Sequence, residues 1–436
     1  MPTLQSPEWI ATARLLRRTG FGTTGAAVDA AMAVGRVTHL KQALASDPAS
    51  DPGSLATPLP KYPITSGITN KDSTAAQKKQ ARVDRQSLVT WWLGRMCAAT
   101  EPLPEKLTLL WHNHFATSLQ KVRSPAAMVQ QNQTFRSLGR GDFRTLALSM
   151  FSDPAMLKWL DAQKNISGAA NENLSREFME LFALGHGDGY TETDVREGAR
   201  ALTGLKIGPN GAVSLDAKKH DSGIKTFLGV TGNLDPTGYC DAVLNAPASA
   251  EFVVRRWWGQ LVSNTPPTAS TLQTIVAAYG PSRDLSAMFS AMLNHPDFVA
   301  AQSSLVTTPA EWLVGLVRAI GVPTKNGQSV DAMAKSLQLL GLLPFYPPSV
   351  GGWPSGQAWL STAAADGRFA VALDLCKAAD LTSLTGASPA ALLDKVAYQL
   401  GIGSWSNRSY SALQSVGADP ATVLAAAANT PEYLVH

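Results

Sequence analysis

The chain has 436 residues, with 37 Lys and Arg against 33 Asp and Glu, a net charge of +4. Charged residues are 16% of the chain, below the roughly 25% usual for soluble proteins, whereas 45% are apolar. A dedicated nucleic-acid binder and a disordered chain are both excluded, because the charge balance is weak and a sizeable core is available.

The first 22 residues lack a charged segment followed by an uninterrupted apolar run, so they do not read as a secretory signal. The twin-arginine pair Arg17-Arg18 is followed by Thr19-Gly20-Phe21 and an Ala/Thr/Gly run. No stretch reaches the roughly 18 apolar residues that a spanning helix needs, so the chain reads as cytoplasmic as encoded. Periodic apolar positions predict helices over 9–18 and 25–47, broken at Gly20 and Gly22. Residues 46–75 are rich in Pro, Ser, Gly and Thr and read as a surface loop. Helices follow over 76–100, 104–118, 124–138, 142–151, 154–161, 171–185 and 191–203. Thr191 with Asp194 three residues on gives the last of these a capping-box start.

Residues 205–233 break the pattern. Pro209-Asn210-Gly211 lies between short alternating runs, which predicts a β-hairpin of two strands. Helices resume over 237–245, 248–263, 269–280, 283–293 and 309–320. The stretch 340–360 begins as an irregular Pro/Gly/Trp loop, since Pro344, Pro347, Pro348 and Pro354 lack amide hydrogens. Helices then run to the end. The expectation is a mainly α protein, one large helical domain over 8–436 with a small hairpin insertion and long irregular loops. Cys97, Cys240 and Cys376 are far apart and odd in number, which fits buried thiols rather than a disulfide framework or a CxxC metal site. There is no GxxxxGK[ST], GxGxxG, HExxH or GxSxG pattern, hence no nucleotide or flavin motif, though a dispersed Ser/His/Asp triad stays open.

Four segments could carry chemistry. In Trp111-His112-Asn113-His114-Phe115, His114 shares a helical face with Leu107, Leu110 and Trp111, and His112 lies about 200° away, too far to share an ion on a regular helix. An inward histidine is either a satisfied core residue or a ligand. In 171–185, Leu174, Phe178, Leu181 and Phe182 form a core stripe. Asn173, Glu177 and Glu180 fall within about 60° of one another at its edge, with Arg176 just beyond. Such carboxylates are either a polar network, with Arg176 pairing Glu180, or a metal or acid/base site. His220-Asp221 in the hairpin region offers metal ligands, an oriented imidazole or only a solvated loop. The loop carrying Trp353, followed by Trp359, either lines a pocket or partner surface or covers the core.

These stretches carry a resemblance. ARLLRRTGFG (13–22), LTLLWHNHFATS (107–118), MLKWLDAQKN (156–165), NENLSREFMELFALGHGDGYTETDVREGARALTGL (171–205), HDSGIKTFLG (220–229) and PPSVGGWPSGQAWLS (347–361) together resemble the bacterial family called domain of unknown function 1800. The match departs at Asn245-Ala246-Pro247, where the family pattern leads one to expect a histidine before the proline. The resemblance implies a mostly helical fold and a protein partner similar to sulfatases and phosphatases, with which the chain could be exported. It also implies that the polar segments assemble into one site. His112 or His114, Glu177, Glu180, His220 and Asp221 would surround a divalent metal, for which mixed imidazole and carboxylate ligands suit Zn, Mn or Fe. Glu177, Glu180 and Arg176 would be the working groups, and Trp353, Trp359 and Asn173 a substrate or partner surface. The metal would activate water or oxygen while a free Glu or His moves protons. Two other expectations stand beside this one: a non-catalytic binding subunit using the tryptophan loop, and a metal-free acid/base enzyme using Glu177 and Glu180. Carboxylates three residues apart are too close for glycosidases, whose pair flanks a bond at roughly 5–9.5 Å.

Overall fold

Small polar side chains start most of the helices. Ser6 caps α1 (Pro7–Thr19), Thr74 caps α2 (Ala75–Ala98) and Ser124 caps α4 (Pro125–Leu138), each accepting an otherwise orphaned first-turn amide. The computed structural model describes residues 4–187, 189–299, 305–324 and 327–435. Those residues are mainly helical, with only small antiparallel two-stranded sheets. None of the described helices is long and apolar enough to cross a membrane.

The organising element is α3 (Leu103–His114), which is buried at every position except Asn113. It lies between two apolar cores. Leu107, Leu110 and Trp111 join Phe115, Phe143, Phe178, Trp257 and Phe289 in one. Leu109 joins Trp92, Trp312, Phe345, Trp353 and Trp359 in the other. The amphipathic stripe of an ordinary surface helix is therefore replaced by apolar packing all round, as expected for a core helix.

Several expectations are corrected. The helix anticipated over 25–47 is two, Gly25–Val34 and Arg36–Ala45, because Gly35 at φ 88° ends the first turn-by-turn ladder in a conformation that only glycine adopts without strain. The 46–75 loop holds a one-turn helix, Pro52–Leu55, capped by Asp51 and fastened by Arg95, which donates to the carbonyls of Ser54 and Thr57. The single hairpin is two. β1 (Leu205–Ile207) pairs with β2 (Val213–Leu215), and β3 (Lys225–Phe227) pairs with β4 (Val230–Gly232). Arg17 and Arg18 are buried in α1. Arg17 donates to the carbonyls of Leu400, Gly401 and Glu432, fastening the beginning of the chain to its end.

The segment 171–185 is not a regular α-helix. α5 (Asn173–Glu177) runs into a π-helical stretch, Phe178–Ala183, in which the Leu184 amide reaches back five residues to the Met179 carbonyl. The wider turn shifts the phase of the stripe: Met179 is fully buried, and Leu181, expected in the core, is half-buried. α6 (Glu192–Ala201) follows with the anticipated capping box of Thr191 and Asp194. α7 (Pro247–Leu261) and α8 (Pro309–Ile320) complete the elements around the two sites described below.

Candidate functional site

The π-helical turn gathers a surface cluster of ionisable groups. Glu180 has its Oε2 3.1 Å from His186 Nδ1 and its Oε1 3.5 Å from an Arg176 guanidinium nitrogen. Tyr190, which also hydrogen-bonds to Glu180, accepts from the Gly187 amide at 3.2 Å through its hydroxyl. Glu177 is half-buried one turn earlier. Burial, and then the Glu180 charge, push its carboxyl above the ordinary range, although His186 and Arg176 act against the shift. Arg176 is held mainly from outside the helix, by both oxygens of Glu192 at 2.8 Å and by Glu172 at 3.0 Å. Asn173 is exposed at the helix start.

The six proposed ligands do not come together as one set. His112 is packed against Trp92, Phe345 and Trp353, with ring centroids 5.4–5.6 Å away, and its Nε2 has no hydrogen-bond partner. His114 faces the other core, beside Trp111, Phe115 and Phe182. Its Nε2 lies 3.0 Å from the Phe182 carbonyl, so that nitrogen carries the proton. His114 thus reaches the π-helical turn at its backbone rather than at its carboxylates. Burial lowers both imidazoles to about 3, so each is neutral in the folded protein. The reason for the separation is helical geometry: residues two apart on a regular helix point to opposite sides.

His220 and Asp221 belong elsewhere again. The His220 Nδ1 is 3.0 Å from the Thr203 carbonyl, and Asp221 takes two hydrogen bonds from Arg200, at 2.8 and 3.2 Å. The Asp221 carboxyl lies below its usual range, foremost because of the Arg200 hydrogen bonds. This pair fastens the second hairpin to α6. Among the described residues, no three His, Cys, Asp or Glu side chains stand close enough together to hold an ion.

Of the two places that the sequence left open, Trp353 and Trp359 take the core-covering one. Both are buried, at 6% and 5% exposure, and pack into the second core rather than forming an aromatic surface. The loop is drawn onto α3: the Trp353 amide donates to Asn113 Oδ1 at 2.8 Å. At Gly352, φ is 85°, and a Cβ there would sit 2.6 Å from the Asn113 carbonyl oxygen. Directly before Pro247, where the family pattern leads one to expect a histidine, stands Ala246, and the Oδ1 of the adjacent Asn245 accepts from Arg283 at 2.6 Å.

His186 is the site residue that sequence reasoning passed over. Its signal was present in ALGHGDGY, immediately after the carboxylate helix, but the loop has no period that assigns a side chain to a face. A family model described as "Protein of unknown function (DUF1800)" matches residues 14–435. No curated protein and no solved structure matches the chain.

Proposed function

The chain belongs to the DUF1800 family, and on that footing we propose that it is an enzyme whose working groups are Glu177 and Glu180, acting by general acid–base chemistry with His186. One observation carries the reading: two carboxylates one helical turn apart occupy different environments. Glu177 is half-buried with its carboxyl raised, which suits it to give up a proton. Glu180 is held between the cationic Arg176 and the His186 imidazole, which suits it to orient that ring. Neighbouring groups whose surroundings differ in this way are the usual mark of divided acid and base roles. The π-helical turn supports the reading, since such insertions are frequent at functional sites.

The test needs no substrate. Carbon-detected NMR of the side-chain carboxyls across pH 3–8 should show Glu177 titrating above the ordinary glutamate value of roughly 4.3. That midpoint should move down in Glu180→Gln. A Glu177 that titrates like a free glutamate would sink the proposal. A second reading, favoured by the 3.1 Å Glu180–His186 contact, is a metal-dependent hydrolase or oxidoreductase. Here Glu177, Glu180 and His186 would gather Zn, Mn or Fe after a small side-chain movement. Metal analysis of protein purified without chelator, repeated for His186→Ala, decides it: stoichiometric metal lost in the variant supports it, and none in either counts against it. A sulfatase- or phosphatase-like partner, implied by the family resemblance, would have to meet a surface other than the two buried tryptophans.

A further inference from the structure

Three buried cations, Arg17 and Arg18 of α1 and Lys106 of α3, line a cavity of about 80 Å³. Among the described residues that line it, the one carboxylate is Glu311 of α8, which is paired with Lys106. α7 contributes Gln260 to the lining. Arg17 is met by the carbonyls of Leu400, Gly401 and Glu432 and by no carboxylate among the described residues, so positive charge stands at a place where desolvation is expensive, and Arg14 adds to it by repelling Arg17.

The polar atoms on this cavity are also incompletely used. Gln260 has both its amide nitrogen and its amide oxygen buried without a hydrogen-bond partner. The Tyr433 hydroxyl and the Arg17 Nε, of residues in the same lining, lack partners as well. Buried polar groups are almost always satisfied, so several orphans facing one cationic cavity call for a missing partner. By contrast, at Glu105, the residue before Lys106, both carboxylate oxygens are in use, taken by Trp92, Arg95 and Arg136.

We infer that this cavity is a binding site for a small oxyanion of the phosphate class. The excess positive charge and the donors of Arg17, Gln260 and Tyr433 suit an oxyanion. The orphaned Gln260 oxygen asks in addition for a hydroxyl on the ligand, which hydrogen phosphate carries and sulfate does not. The cavity is small, so it takes the ion itself or the phosphoryl end of a compact ester. It is a different site from the Glu177–Glu180 cluster, and neither depends on the other.

The test is calorimetric titration of the full chain with inorganic phosphate, sulfate and glycerol phosphate at constant ionic strength. Phosphate should bind at one saturable site, about tenfold more tightly than sulfate, the difference expected of one hydrogen bond to a charged group. Gln260→Leu should weaken phosphate about tenfold and bring it level with sulfate, and Tyr433→Phe should weaken it by a smaller factor. Neither variant removes a contact made by the ligand-free protein, so both should keep its melting temperature. Glycerol phosphate binding as tightly as phosphate assigns the cavity to phosphate esters, and tighter binding of inorganic phosphate assigns it to the free ion. The inference is overturned if neither phosphate compound gives saturable binding at millimolar concentration, or if phosphate binds both variants as it binds the parent.

Discussion

Glu105 and Lys106 are neighbours on α3, and each enters a buried ion cluster, but the two clusters differ in kind. Around Glu105, Arg136 donates two hydrogen bonds at 2.6 and 2.7 Å, Arg95 one at 2.6 Å and the Trp92 indole another at 3.0 Å. Both carboxylate oxygens are in use. Burial alone would raise this carboxyl, yet Arg136 and Arg95 hold it below its usual range. Both clusters border a cavity and in both the cations outnumber the carboxylate, but around Lys106 the one carboxylate is paired with Lys106, Arg17 is left to backbone carbonyls, and the Gln260 amide and Tyr433 hydroxyl on the cavity lack partners. The contrast shows that buried charge by itself does not mark a function. What distinguishes a site is incomplete satisfaction beside open space.

The largest expected effect lies at the closed cluster. Glu105→Gln leaves the Arg95 and Arg136 guanidiniums buried without their counter-charge, and should cost about 3–5 kcal/mol. Lys106→Met leaves Glu311 without its direct partner, but Arg18 still attracts Glu311 and water can enter the adjoining cavity. Its cost should be smaller, about 1–2 kcal/mol. Urea unfolding of both variants measures the pair, and equal losses would erase the distinction.

A second contrast concerns pH. His112 and His114 are neutral in the folded chain, their imidazoles lowered to about 3 by burial. In the unfolded chain they would titrate near the ordinary histidine value of roughly 6.5. Below that value the unfolded state binds more protons, so each histidine removes stability as pH falls, at about 1.4 kcal/mol per pH unit. Asp153, pushed up to about 7 by burial, acts in the opposite direction over the same window, because its folded form holds the proton more firmly. Subtraction isolates one group: the stability of His112→Phe relative to the parent should improve by about 1.4 kcal/mol for each unit below pH 6.5. Equilibrium unfolding at several pH values checks this slope, and a flat difference would mean that His112 is protonated or exposed in the folded protein.

The separation of the two histidines was legible in the sequence because it follows from the helical period, as did the capping box at Thr191 and the non-helical Pro/Gly/Trp loop. The π-helical turn was not. Nothing in NENLSREFMELFALG marks where a ladder will slip from the fourth to the fifth residue, since that choice is made by packing against His114 and the first core. The burial of Arg17 and Arg18 was not legible for a related reason. A basic pair looks the same in sequence whether it is solvated or buried under residues nearly 400 positions away. His220-Asp221 read plausibly as ligands, yet its partners, Arg200 and Thr203, come from α6 and the turn that follows it. Local pattern gives the faces of elements; it does not give which faces meet.

The smallest expected stability change falls at the Glu177–Glu180 cluster, and this separates its role from that of Glu105. Glu180 keeps 17% of its side chain exposed, and Arg176 retains Glu172 and Glu192 if Glu180 is neutralised. Partly exposed ion pairs of this sort contribute about 0–1 kcal/mol. Glu180→Gln should therefore lower stability by no more than about 1 kcal/mol, while shifting the Glu177 titration by removing a neighbouring negative charge. Urea unfolding and the carboxyl titration of the same sample read the two effects independently. A loss as large as that of Glu105→Gln, with an unmoved Glu177 midpoint, would make the cluster a structural brace. A small loss with a moved midpoint is the behaviour of two carboxylates kept for their chemistry rather than for the fold.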